Sequence, residues 1–141
     1  PFKLKHVRAI KKIQRHFTRR IPMFRDYSYE ERLARLNLET LELRRLRFDL
    51  VLYYKMFNDL GSFDVNCYFE FPTRTRQTRS DGGKPLPKIR GKTKVLENHF
   101  FQRRIECWNS LPEFVRSATS VKQFKENLTK VDLAEFLVVK F

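Results

Sequence analysis

The sequence predicts a mainly α fold, a small helical bundle with an irregular basic arm or short hairpin in the middle. Three observations predict it. Apolar residues recur at three- and four-residue steps in several stretches. Ser-x-x-Glu or Ser-x-x-Gln patterns, the signature of helix capping boxes, occur three times. Proline, glycine and arginine crowd one central segment and break the helical pattern there.

A length of 141 residues suits one domain, or one domain with an arm. Hydrophobic residues make up 41%, and 14 Phe, 5 Tyr and one Trp supply enough bulk for a core, which argues against wholesale disorder. Composition and pattern divide the chain into a helical segment at 1–61, a basic extended arm at 62–95, and a C-terminal helical tail at 96–141 expected to pack on the first segment.

Residues 4–20 read as a helix in which Val7, Ile10, Ile13 and Phe17 share one face and Arg8, Lys12, Arg15 and Arg19 line the opposite one. Pro22 stops it. Ser28 and Glu31 form a capping box that opens a short helix to about Leu36. Asn37 or Thr40 caps the longest helix, which runs to about Asp59 and ends at Gly61, with Leu43, Leu46, Leu50, Tyr53 or Tyr54, and Phe57 on its core face. Cys67–Phe71 suits a short strand. Pro72 to Arg79 then alternates Thr and Arg, Ser80 to Gly83 is a turn signal, and Pro85 and Pro87 keep the chain beyond the turn extended. In the tail, Phe100 or Phe101, Ile105 and Trp108 point inward along a helix over 99–108. Ser110/Glu113 and Ser120/Gln123 form the second and third boxes, the last opening a helix with Val121, Phe124 and Leu128 on one face. The apolar end, Leu133 to Phe141, suits helix or strand.

The net charge of +14 implies a polyanionic partner, since such a charge otherwise only repels itself. It is concentrated: residues 1–25 hold nine Lys or Arg and no acid, residues 26–70 are net acidic, residues 71–95 hold eight basic residues against Asp81, and the tail is close to neutral. The stripe Arg8, Lys12, Arg15, Arg19 spans roughly 16 Å of helix, a few phosphate spacings along one strand, and Arg20 is a further candidate contact. A solvated face usually mixes signs for i,i+4 pairing; this one has no acid. The cluster Arg44, Arg45, Arg47 opposes the dipole at a helix start, and either phosphate contact or ion pairing with Glu39, Glu42 or Asp49 accounts for it. Arg74, Arg76, Arg79 and Arg90 make the arm a second candidate contact, and Arg103 and Arg104 lie beside the tail's inward residues.

No catalytic constellation is present. Phosphoryl-transfer chemistry with two metals needs clustered carboxylates, and the sequence has no Asp-Asp pair; in its one acidic doublet, Glu30-Glu31, capping accounts for Glu31. His6, His16 and His99 are isolated, and Cys67 and Cys107 make neither a disulfide framework nor a zinc knuckle, so no metal site is expected and a reducing compartment fits. Cys107, beside Trp108, reads as a buried thiol. No apolar run approaches the ~18 residues of a membrane span. Opening on Pro1-Phe2-Lys3, the chain reads as a piece of something longer.

Several short stretches in order carry a resemblance. Ile13-Gln-Arg-His-Phe-Thr-Arg-Arg-Ile21, Tyr29-Glu-Glu-Arg-Leu33, Leu38-Glu-Thr-Leu-Glu-Leu-Arg-Arg45 with Asp49-Leu50, Phe100-Phe-Gln-Arg103, Trp108-Asn-Ser-Leu-Pro112 and Ser120-Val-Lys-Gln-Phe-Lys125 resemble LINE-type (non-LTR) retrotransposon proteins of the chicken-repeat and jockey groups. The likeness runs over about residues 7–130 and falls after the reverse-transcriptase palm. It implies a parent with an apurinic-like endonuclease and an RNA-directed DNA polymerase, working by target-primed reverse transcription and needing Mg. Within such a parent this chain is the thumb and C-terminal tail. It would hold an RNA/DNA template–primer or target DNA by its backbone, next to the palm of the same polyprotein, without catalytic carboxylates or a cofactor of its own. The resemblance further implies a nuclear and cytoplasmic ribonucleoprotein. The chain lacks the C-terminal Cys/His knuckle that some LINE families carry. The alternative is a protein-interaction module with a basic face, derived from a decayed retroelement.

Overall fold

Apolar periodicity and capping chemistry translate directly into the elements of the computed structural model, which describes residues 4–61 and 104–137. All regular elements among the described residues are helical. They are α1 (Leu4–Arg19), a 3₁₀ turn at Pro22–Phe24, α2 (Tyr29–Arg35), α3 (Leu41–Phe57), α4 (Ile105–Ser110), α5 (Glu113–Arg116), α6 (Val121–Leu128) and a 3₁₀ turn at Ala134–Phe136. The strand expected at Cys67–Phe71, the arm at 72–95 and the start of the helix expected at 99–108 lie outside the described residues.

Local chemistry sets most boundaries. Ser28 Oγ accepts from Glu31 N at 3.2 Å while Glu31 Oε2 accepts from Ser28 N at 2.8 Å, a complete capping box that starts α2. The helix ends at Asn37, whose φ of 50° takes the left-handed turn, with Leu38 N donating to Leu33 O and Asn37 N to Ala34 O. This is a Schellman ending with asparagine in the place of glycine. Thr40 rather than Asn37 therefore caps α3, its Oγ1 accepting from Leu43 N at 3.2 Å. A second Schellman ending closes α3: Asp59 has φ 54°, Leu60 N donates to Lys55 O and Asp59 N to Met56 O. The helix thus turns at Asp59, two residues before the glycine expected to end it.

Two boxes in the tail depart from the expected form. Ser110 belongs to the last turn of α4, and its hydroxyl donates back to Cys107 O at 2.8 Å. Pro112 is the N-cap of α5, with no side-chain cap. Ser120 does cap α6, accepting from Gln123 N at 3.1 Å, but Gln123 Oε1 accepts from Thr119 N and Thr119 Oγ1 instead of closing on Ser120.

The described residues form two compact units. One comprises the chain up to Leu46 together with the residues from Leu133 onward; the other runs from Arg47 to Asp132. The division falls inside α3, whereas composition divides the chain after Gly61. In the second unit the core is aromatic. Trp108 stacks on Tyr53 with ring centroids 5.9 Å apart and lies 5.6 Å from Phe57 and 5.9 Å from Phe124, while Tyr54 stacks on Phe124 at 4.4 Å. Leu50, Val115, Cys107 and Leu128 are buried with them. The Tyr54 hydroxyl donates to Ala118 O at 2.7 Å, so the phenol is buried without an orphaned polar group. In the first unit Leu133 and Leu137 are buried, flanking the one turn of 3₁₀ helix that the C-terminal apolar run forms among the described residues.

Candidate nucleic-acid interface

α1 carries six Lys or Arg and no acid, including none in its first turn. Cations at Lys5 and Arg8 oppose the positive end of the helix dipole, so local helix stability does not explain them; Arg19, in the last turn, complements it. What orients this helix is a line of mostly polar residues. Gln14 Oε1 accepts from the Tyr29 hydroxyl at 2.8 Å and from Leu41 N at 3.3 Å, while Gln14 Nε2 donates to Glu39 O at 2.9 Å. One side chain thereby ties α1 to α2 and to the start of α3. Farther along, the fully buried Thr18 accepts from Arg32 Nε at 3.2 Å, and the buried Arg32 also donates through a terminal nitrogen to Tyr27 O.

The inward line of α1 is therefore Val7, Lys11, Gln14 and Thr18, turned roughly 80° about the axis from the centre of the apolar face Val7, Ile10, Ile13, Phe17. Ile13 and Phe17 are 69% and 67% exposed. The rotation has a physical cause. The Gln14 amide meets the Tyr29 hydroxyl, Leu41 N and Glu39 O in the seam, and a part-buried polar group left unmet is costly, which offsets the exposure of two apolar side chains.

With α1 set this way, Arg8, Lys12, Arg15, Arg19 and Arg20 are all exposed. The first four lie within about 60° of arc. They are not equivalent. The Arg15 guanidinium sits 4.8 Å from the centroid of the Tyr29 ring, and Lys11 Nζ lies 5.5 Å from the same centroid. Tyr29 is thus a platform that holds Arg15 in place, a contact worth ~0.5–1 kcal/mol at an exposed site. Burial lowers the Lys11 pKa and the neighbouring Arg15 lowers it further; burial likewise raises the Tyr29 pKa. Sequence periodicity did not identify Gln14 or Tyr29, because a polar hub and a cation–π platform leave no apolar repeat.

The other expected contacts fall in different settings. Arg44 is exposed, while Arg45 is half-buried and lines the seam between α1 and α3 with Lys11 and Glu42. Arg47 is half-buried, and burial lowers its pKa. Arg104 sits at the N-cap of α4 and pairs with Asp49 of α3 at 3.1 Å, both side chains being largely buried, so it staples the second unit. Arg74, Arg76, Arg79, Arg90 and Arg103 lie outside the described residues. Among the described residues no group of His, Cys, Asp and Glu is placed to hold a metal, and no helix is long and apolar enough to cross a membrane. Compared with known proteins, the chain matches no family model, no curated protein and no solved structure.

Proposed function

We propose that this chain grips the sugar–phosphate backbone of a nucleic-acid duplex through the basic face of α1, as the thumb and tail of a LINE-type RNA-directed DNA polymerase and without catalysing synthesis itself. The observation that carries the reading is the exposure of Arg8, Lys12, Arg15 and Arg19 on one face of a helix that holds no acid. Backbone contacts need cations at phosphate spacing on a rigid support and no base readout. A stripe about 16 Å long on a helix anchored by Gln14 and Thr18 meets that need. The Tyr29 platform adds pre-organisation, since an arginine already held over a ring loses less freedom when it meets a phosphate. Arg20 and Arg44, both exposed, are further candidate contacts in this reading. In this reading the metal-dependent chemistry, with Mg, belongs to a palm in the parent polyprotein, and the protein works in nuclear and cytoplasmic ribonucleoprotein inside the cell.

Fluorescence anisotropy with a blunt RNA–DNA hybrid, titrated with salt, tests the proposal. Affinity should fall with log salt at a slope of about 0.9 per phosphate neutralised. Because Arg15 also rests on Tyr29, the cleaner charge reversal is Arg8→Glu with Arg19→Glu. That double change should flatten the slope by about two phosphates and leave the circular dichroism spectrum unchanged. Absence of hybrid binding at ~50 mM salt, where such contacts are strong, rules the proposal out.

A further inference from the structure

On the side of α1 away from the Gln14 line lies an open groove of ≈ 380 Å³, lined by Ala9, Lys12, Ile13, His16, Phe17 and Arg20. Phe17 and Ile13 are its apolar floor, two-thirds exposed, while the half-buried Lys11 and Gln14 and the buried Thr18 turn inward instead. A large aromatic ring left in water beside cations, on a helix without an acid, is a specific combination. An apolar cleft alone suits many occupants, but one rimmed by Lys12 and Arg20 suits a ligand that is flat and apolar at its centre and anionic at its edge.

We infer that Phe17 is a stacking platform for an unpaired nucleobase, with Lys12 and Arg20 holding the phosphates on either side of it. The inference rests on the proposed duplex grip and deepens it: the preferred ligand is a duplex with a single-stranded extension. Lys12 belongs both to the basic stripe and to the groove, so a strand followed along the stripe passes into the groove over that residue. Stacking requires only a π face, so the site is indifferent to base identity. His16 also lines the groove.

The test compares the full chain on a blunt RNA–DNA hybrid and on the same hybrid with a single-stranded extension carrying 2-aminopurine at the first unpaired position. Wild type should bind the extended hybrid more tightly and quench the 2-aminopurine. Phe17→Ala should lower affinity for the extended hybrid about tenfold, the size of one base stacked on an aromatic ring, and leave blunt affinity unchanged. Phe17→Leu should behave like Phe17→Ala, and Phe17→Trp like wild type, because stacking needs the ring and general hydrophobicity does not. The exposure of Phe17 makes all three variants compatible with the native fold. Blunt binding without preference for the extension, or a Phe17→Leu variant that keeps the preference, overturns the inference and leaves the duplex grip standing. No binding to either hybrid removes both. Sedimentation showing a dimer that Phe17→Ala dissociates would assign the groove to a second copy of the chain and overturn the inference.

Discussion

Each of the two compact units of this chain buries apolar residues, but they differ in what orients their helices. In the unit from Arg47 to Asp132, Trp108, Tyr53, Tyr54, Phe57 and Phe124 contact one another ring to ring, with Arg104 and Asp49 paired beside them. In the unit up to Leu46, α1 fully buries only Val7 and Thr18, and its seam is stitched by the Gln14 amide, the Tyr29 hydroxyl and the Arg32 guanidinium. An aromatic core gains from area removed from water, a contribution that is non-directional. A polar seam gains little net free energy per bond but is costly to leave half-made, so it fixes orientation sharply. The unit whose α1 carries cations on one side and the exposed Phe17 on another is the one built on directional contacts.

Substitutions separate the two regimes, and the largest effect is expected in the aromatic unit. Trp108→Ala should destabilise the chain by ~3–5 kcal/mol in denaturant unfolding. A Trp108→Ala protein that folds normally and loses hybrid binding would mean that the ring cluster is a ligand site and not a core. Gln14→Leu keeps the volume and removes the hub; leaving the Tyr29 hydroxyl and Leu41 N without their acceptor should cost ~1–3 kcal/mol. If Gln14→Leu is neutral or stabilising, the contrast between the units collapses, since apolar packing would then serve the seam equally well.

A titration sharpens the comparison further. Tyr54, 1% exposed, has its pKa raised by burial. Its folded-state value lies above the ordinary one, so stability is flat below about pH 10 and falls as pH rises past it, when the unfolded chain ionises first. Tyr54→Phe should remove part of that alkaline loss and cost about 1 kcal/mol at neutral pH through the unmet Ala118 carbonyl. Urea unfolding at several alkaline pH values reads both; an unchanged alkaline slope would show that the phenol is not held neutral by the fold. Ser28→Ala, which opens only the capping box of α2, should cost ~1 kcal/mol and lower the melting temperature modestly. At the small end, Arg8→Glu with Arg19→Glu should change stability by no more than ~0.5 kcal/mol while its effect on hybrid binding is large.

Much of the fold was legible in sequence because the information was local. Ser28 and Glu31 satisfy each other within one turn, Thr40 and Ser120 cap their own helices, and Leu46, Leu50 and Tyr53 lie on one face of α3 whatever they pack against. The Ser110 box failed for an equally local reason, since Ser110 completes α4 and spends its hydroxyl on Cys107 O. The candidate interface was half legible. That α1 is basic on one face follows from spacing alone; that Arg15 rests on Tyr29, that Arg45 lines the α1–α3 seam and that Arg104 is spent on Asp49 does not.

By itself, the sequence determined the helices, most of their caps, the one-sided charge of α1 and the residues of the aromatic core. Each depends on periodicity or on partners within about one turn. Only the tertiary structure decided which line of α1 turns inward. Hydrophobic spacing favoured Val7, Ile10, Ile13 and Phe17; Val7 is buried and Ile10 half-buried in the seam, whereas Ile13 and Phe17 are exposed and Lys11, Gln14 and Thr18 turn inward. The choice turns on hydrogen-bond partners 14 to 27 residues away in the chain, at Tyr29, Arg32, Glu39 and Leu41. No periodicity records such partners, and they are what leave Phe17 in solvent beside Lys12 and Arg20.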